Sequence, residues 1–237
     1  MVWKRLVHFG FRLLYNELAW TYDFVSWLVS LGAWRFWQQA ALPYVQGVDV
    51  LEIGHGPGHM LLALQRAGFR AVGLDLSPNM GRLAARRLAN VGTAVPLIRG
   101  DVFHLPLAAG VFDTVLATFP TDYIAQPETL AAANRVLRDD GRFLIIPEAH
   151  LTGCAPWIRF IEWLYAVTGQ RAGPFTVAEP EWSDYPAWQM MAARFSTAGF
   201  QLEITQIRLR RSAVTILIAH KDVGSSQTGL IQSINAE

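Results

Sequence analysis

Three carboxylates and a run of glycines are the residues of this chain best suited to binding chemistry. Glu52 is followed by Gly54, Gly56 and Gly58 at every second position, and the apolar residues Val48, Val50, Leu51 and Ile53 lead into them. Such a run reads as a buried strand. A strand that ends in glycines and enters a helix, here Met60 to Ala67, lets a ligand approach the backbone because no Cβ stands in the way. The dinucleotide form of this turn, Gly-x-Gly-x-x-Gly, needs its third glycine at position 59, which is His59. The dinucleotide pattern therefore fails. Glu52 agrees with that failure, since a carboxylate at the strand end repels a pyrophosphate and attracts a cation. The second carboxylate, Asp75, closes another apolar run, Arg70 to Leu74, about twenty residues past the glycines, where an acid can accept both hydroxyls of a ribose. The third, Asp101, follows the short strand Val95 to Ile98.

Val50 to His59, in company with these acids, resembles the first motif of the class I S-adenosylmethionine-dependent methyltransferases. The resemblance implies that Gly54, His55, Gly56 and Gly58 lie against the methionine part of the cofactor and that Glu52 helps hold its amino group. Asp75-Leu76-Ser77-Pro78, with Met80, resembles the second motif, in which the acid binds the ribose and the apolar residues pack on the adenine. By the same resemblance Asp101 accepts from the adenine amine and the Val102 amide meets the ring. The likeness extends from Val48 to Pro147 and implies S-adenosylmethionine as cofactor. It does not specify the methyl acceptor.

The elements that must position these residues follow from the pattern. Strands alternating with helices imply an α/β fold. We expect a seven-stranded, mostly parallel Rossmann-like sheet with helices on both faces, an antiparallel last strand and an N-terminal helical cap. Ser77 is placed to cap a helix with Pro78 at its first position. Glu128 to Leu137 reads as a helix, Asp139-Asp140-Gly141 as a turn, and Phe143 to Ile146 as the strand after it. Trp188 to Ala198 reads as a helix ending at Gly199, and Gln201 to Arg208 and Ser212 to His220 as two antiparallel strands. The expected organisation is a cap over 1–45, a methyltransferase domain over 46–222 with a lid insert at 151–187, and a polar tail over 223–237.

The acceptor side is read from loops at the carboxyl ends of the strands, where open α/β sheets bind ligands. Phe119 and Tyr123 sit in the loop after the fourth strand, with Asp122 between them, and are expected to line the transfer site; Phe119 is counted with the cofactor contacts. Asp122 is a polar contact there or a charge at a helix start. Tyr22-Asp23, followed by an apolar helix and Ser30-Leu31-Gly32, resembles the leader of quinone-biosynthesis and bacterial phospholipid N-methyltransferases, which implies that Tyr22 closes over the cofactor; a core tyrosine is the alternative. His150, just past the fifth strand beside Glu148, and His55 are the candidate proton acceptors.

Composition bounds the partners. A formal charge of +1 gives no general electrostatic case for nucleic acid. Charged residues are only 16% and hydrophobic ones 52%, so large apolar surfaces need an explanation. Five of the nine tryptophans precede the first strand, and Lys4, Arg5 and Arg12 stand among Trp3, Phe9 and Phe11. That mixture suits an interfacial helix, and equally a cap that buries its aromatics over the site. Leu151 to Gln170 is a second apolar insert, with Trp157, Phe160, Ile161 and Leu164 on one helical face, and a loop-rich lid follows it. A single cysteine, Cys154, excludes an internal disulfide framework and fits a reducing compartment. No Cys/His cluster has metal-ligand spacing. The expected protein is cytoplasmic, peripheral on the membrane if the first helix is interfacial, and takes a hydrophobic acceptor: a lipid quinone precursor or an aminophospholipid. The alternatives are a soluble small-molecule O- or N-methyltransferase and a non-catalytic cofactor-binding subunit.

Overall fold

The computed structural model describes residues 21–152 and 186–222. The helix expected before residue 21, the apolar insert and lid over residues 153–185, with Cys154, and the tail from 223 lie outside the described residues; Leu151, the expected start of the insert, ends a strand.

Among the described residues eight strands form one sheet: β1 (Asp49–Ile53), β2 (Arg70–Asp75), β3 (Leu97–Arg99), β4 (Phe112–Thr118), β5 (Leu137–Ile146), β6 (Ala149–Leu151), β7 (Phe200–Leu209) and β8 (Ser212–Lys221). The helices are α1 (Tyr22–Ser30), α2 (Trp34–Gln39), α3 (His59–Arg66), α4 (Pro78–Ala89), α5 (Pro127–Val136) and α6 (Pro186–Thr197). Strands β3, β2, β1, β4 and β5 pair in parallel in that order. β8 runs antiparallel beside β5, as expected of the last strand, and β7 pairs with the other edge of β8. The eighth strand corrects the expected count of seven. β6 pairs with Ser212 to Val214, on the side of β8 that β5 occupies further along, so it prolongs β5 across a break at Pro147. Proline has no N–H to give the ladder, so the strand is interrupted there.

The expected turn at Asp139–Gly141 is also corrected. Leu137 already pairs with Phe112 and Arg142 with Thr114, so Arg138 to Gly141 form a bulge inside β5 rather than a turn before it. The bulge has a cause on the neighbouring strand. The Arg138 guanidinium pairs with Asp113 and, at 2.9 Å, with Asp49.

Side chains alternate across β1: Val50 and Glu52 face one side, Leu51 and Ile53 the other. The second side is covered by Leu130, Ala133 and Val136 of α5 and Phe195 of α6. The first packs on Trp37 of α2, on Met60, Leu61 and Leu64 of α3, and on Leu88 of α4. An acid is thus carried into an apolar layer by strand parity alone. Among the described residues no helix is long and apolar enough to cross a membrane.

At the other end of β1, Asp113 fastens the strand entry. One of its carboxylate oxygens accepts from the amides of Val48 and Asp49, each at 2.8 Å. Asp49 in turn takes both arms of Arg70 at 2.7 Å. The Arg70 hydrogen bonds hold the Asp49 pKa down at about 2, and Arg138 adds to this. Asp113 lies below its ordinary value too: burial opposes ionisation, but the two amides and Arg138 outweigh it. Depressed carboxylate pKa values contribute stability that is present above about pH 4, the unfolded value, and is lost as pH falls towards about 2. Asp113→Ala should therefore cost about 1–3 kcal/mol at neutral pH, the penalty for two orphaned amides, and denaturant melts should show the gap to wild type shrinking through that acid window.

Candidate functional site

The turn after β1 is shaped by contacts on both flanks. The Gly54 amide donates to the Leu74 carbonyl at 2.7 Å, and the Gly56 amide donates to Asp75 Oδ2 at 2.8 Å. The other Asp75 oxygen accepts from Ser77 at 2.8 Å. One carboxylate thus ties the glycine turn to the end of β2 and to the start of α4. Ser77 caps that helix as expected, accepting from the Met80 amide at 3.3 Å, with Pro78 at the first position.

Two glycines are required by geometry. Gly54 has φ +67, and a Cβ there would stand 2.6 Å from the Tyr123 hydroxyl. Gly58 has φ +80, and a Cβ there would stand 2.8 Å from the Ala84 Cβ and 3.1 Å from its Cα. Gly58 therefore serves the close approach of α3 to α4. Beside Gly56, by contrast, there is open space, with nothing within 4 Å of the position a Cβ would take.

Glu52 sits beneath this turn with 0% of its surface exposed, and neither carboxylate oxygen has a hydrogen-bond partner. Burial drives its pKa well above the ordinary value, and the negative charge of Asp75 adds to the rise. The Leu61 amide and the Thr118 hydroxyl pull the other way without completing a hydrogen bond.

Aromatic rings gather at the end of β4. Phe119 adopts φ +50, a left-handed conformation that costs a non-glycine residue about 1–3 kcal/mol. Its ring centroid lies 4.3 Å from that of Trp34 and 6.2 Å from that of Trp37. Tyr22 meets the edge of Trp34 at 6.3 Å. The helix that carries Tyr22 is held down by the next residue. Asp23 bonds His59 at 2.8 Å and pairs with Arg87, which also donates to the Pro57 carbonyl in the glycine turn. The His59 bond and the Arg87 charge keep Asp23 below the usual carboxylate value, against the effect of burial.

A strand-end acid beneath a glycine turn, a second acid at the end of the adjacent strand and an aromatic wall thus stand at the carboxyl ends of the parallel strands. The Methyltransferase domain family matches residues 50–141. The demethylmenaquinone methyltransferase of Thermobifida fusca is 31% identical over 178 residues, which span 73% of this chain and 72% of that protein. The chain belongs to the class I S-adenosylmethionine-dependent methyltransferases. The demethylmenaquinone methyltransferase of Thermus thermophilus is 27% identical, over 86% of this chain and 98% of the relative. Phosphoethanolamine N-methyltransferase 2 of Haemonchus contortus, solved with phosphomonomethylethanolamine and S-adenosylhomocysteine, shares the fold with a TM-score of 0.56 at 16% identity. The match covers 81% of this chain and 53% of that one.

Among the residues expected to bind the cofactor, this methyltransferase brings Glu52, Gly54, Gly56 and Asp75 together at the ends of the adjacent strands β1 and β2. Leu76 is 66% exposed beside them, an apolar surface ready for a ring. Met80 is fully buried in the core, and Val102 is buried with the other apolar layer, so their side chains serve packing. Asp101 opens a short helical turn and accepts from the Phe103 amide at 3.0 Å. His55 is 3% exposed, with Nδ1 2.7 Å from the Gly56 carbonyl. A carbonyl only accepts, so Nδ1 carries the proton, and burial lowers the pKa of the ring. Its Cδ2 would lie 2.9 Å from a Cβ at Gly73, so the ring is wedged against β2.

On the acceptor side, Tyr123 reaches the glycine turn and Tyr22 reaches the aromatic wall. Asp122 opens the helical turn Asp122–Ala125, and its side chain lies outside the described residues. His150 lies on β6 with Nε2 3.0 Å from Glu148 Oε1. Gln38, Trp34 and Thr118 were not foreseen from sequence. Gln38 donates to Thr118 Oγ1 at 3.0 Å, and Trp34 packs over Phe119 next to it. Their spacing of four in an aromatic helix was the available signal, since it puts Trp34 and Gln38 on one face.

The raised pKa of Glu52 has a measurable sign. A carboxyl whose folded pKa exceeds its unfolded value contributes stability that is fully present below about pH 4.3 and is lost as pH rises through the folded value. Ligand-free Glu52→Gln should therefore gain on wild type as pH rises from that point, by up to about 1.4 kcal/mol per pH unit while the pH lies between the two values. Urea melts from acid to neutral pH measure this, and a pH-independent difference would return Glu52 to an ordinary value.

Proposed function

We propose that this methyltransferase acts on a hydrophobic, lipid-derived acceptor, namely a quinone precursor. The observation that carries the reading is the aromatic wall of Tyr22, Trp34 and Phe119 at the end of β4, next to the buried Glu52. An apolar ring stacks on such a wall. The names of the Thermobifida and Thermus relatives support the choice of a quinone precursor over an aminophospholipid.

The residues present fit the cofactor. Glu52 is a buried acid without a partner, suited to an ammonium group, and the space at Gly56 admits a ligand to the backbone. When bound, S-adenosylmethionine supplies a methyl group on a positively charged sulfur. In this reading Glu52, Gly54 and Gly56 hold its amino-acid end, Asp75 the ribose, and Leu76, Asp101 and the Val102 amide the adenine. His55, Gly58 and Met80 act from behind, by packing the turn and the helix that frame it. Tyr22, Phe119 and Tyr123 flank the transfer point, exclude water and fix the acceptor in line, which is the main demand of a methyl transfer. A carbon or hydroxyl acceptor must also lose a proton, and His150, oriented by Glu148, takes it, with Asp122 as a polar contact.

The reading extends to a membrane surface, where such an acceptor resides. Phe24, Trp27, Leu28 and Leu31 recur at helical spacing on α1 and its end and are exposed, as is Phe36. These aromatic residues, with the cations Lys4, Arg5 and Arg12 earlier in the sequence, suit an anionic bilayer. The protein should co-sediment with anionic vesicles at low salt, and changing Lys4, Arg5 and Arg12 together to Glu should release it. A wild type that stays in the supernatant would confine those aromatics to the protein.

The acceptor itself is tested by incubating the protein with labelled S-adenosylmethionine and either a demethylated prenyl naphthoquinol or phosphatidylethanolamine. Label in the quinol is the expected result. Label in the phospholipid alone would overturn the quinone assignment while leaving the methyltransferase intact.

A further inference from the structure

Among the described residues, five buried side-chain nitrogen or oxygen atoms have no hydrogen-bond partner. Four of them belong to Glu52, Gln38 and Trp34: both carboxylate oxygens, the Gln38 Oε1 and the Trp34 Nε1. A buried polar atom without a partner is costly, and several in one corner need a common explanation.

The sheet and α2 bring the three residues to the same end of β1 and β4. Glu52 of β1 pairs in register with Leu116 of β4, so Thr118, two residues on, faces the same side of the sheet just beyond it. The Gln38 amide nitrogen donates to Thr118 Oγ1, which fixes the amide and leaves Oε1 turned elsewhere. Trp34, one helical turn earlier on α2, lies on Phe119, the residue after Thr118. The neighbouring Trp37 shows what an indole finished by the protein alone looks like: its Nε1 donates to Ser212 Oγ at 2.8 Å. Trp34 has no such acceptor.

The orphan atoms have a particular chemistry. Three are acceptors, one of them on an acid, and one is an N–H donor. An α-amino acid group is the complement: an ammonium with three donors beside a carboxylate that only accepts. We infer that Gln38 and Trp34 complete the pocket for the amino-acid end of S-adenosylmethionine, Gln38 Oε1 joining Glu52 on the ammonium and Trp34 Nε1 donating to the carboxylate. This rests on the assignment of Glu52 to that ammonium. Helix α2, which precedes the family's glycine turn in the chain, thereby becomes part of the cofactor site. Because the Trp34 ring also packs, tilted, against Phe119, the same helix ties cofactor binding to the aromatic wall of the acceptor side.

Calorimetry on the full chain with two ligands separates this from a structural role. S-adenosylhomocysteine carries the amino-acid end, and 5′-methylthioadenosine lacks it. Gln38→Met and Trp34→Phe keep the bulk of each side chain but delete the orphan groups. Each should weaken S-adenosylhomocysteine by roughly tenfold, the scale of one buried hydrogen bond, and leave 5′-methylthioadenosine within about twofold of wild type. Equal losses for both ligands, or no loss for S-adenosylhomocysteine, would overturn the inference. Glu52→Gln is the control for the assignment beneath it. If that variant loses S-adenosylhomocysteine selectively while the other two do not, only the roles of Gln38 and Trp34 fall. If Glu52→Gln shows no selective loss either, the assignment of Glu52 falls with them.

Discussion

A carboxyl group wholly removed from water, with neither oxygen bonded, is the constraint around which this protein is arranged. Strand parity carries Glu52 into the layer that holds Trp37, Met60 and Leu61, where an unpaired charge is penalised. The raised pKa is the ligand-free protein's answer to that penalty. A cation arriving at this position would give the carboxyl the partner it lacks, in exchange for the proton that the raised pKa retains.

The acid stays unpaired only because the surroundings cannot collapse onto it. Asp75 does much of this, holding the Gly56 and Ser77 amides on separate oxygens. The carboxylate expected to bind a ribose is thus also a brace for the turn. Behind it, Gly58 lets α3 approach Ala84, and His55 fills the space over Gly73. The open position beside Gly56 survives because its neighbours on both sides are fixed.

The helices before β1 close the other side. Asp23, His59, Arg87 and the Pro57 carbonyl form one connected set linking α1, α3, α4 and the glycine turn. Through it the position of Tyr22 is coupled to that of the turn. The strained backbone of Phe119 aims its ring at Trp34 rather than along β4, which makes the aromatic wall. Strain of this kind persists where surrounding packing over-determines it, and it collects at sites that handle ligands.

The amino-acid sequence by itself determined the parallel strands, the glycine turn, the capped helix at Ser77 and the placing of Glu52 and Asp75 at the ends of adjacent strands, because each follows from local pattern and spacing. The antiparallel end of the sheet was legible for the same reason. The tertiary structure alone decided three other things. It made Asp139–Gly141 a bulge, since Arg138 is drawn to Asp113 and Asp49 from another strand. It counted β6 as a separate strand, since β8 offers a partner on both sides of Pro147. It also brought Trp34 and Gln38 to Thr118 and Phe119, some eighty residues away along the chain. No periodicity in sequence encodes that meeting. The spacing of Trp34 and Gln38 puts them on one helical face, but a buried donor or acceptor is recognised as unpaired only when everything around it is in place, and that the folded chain alone shows.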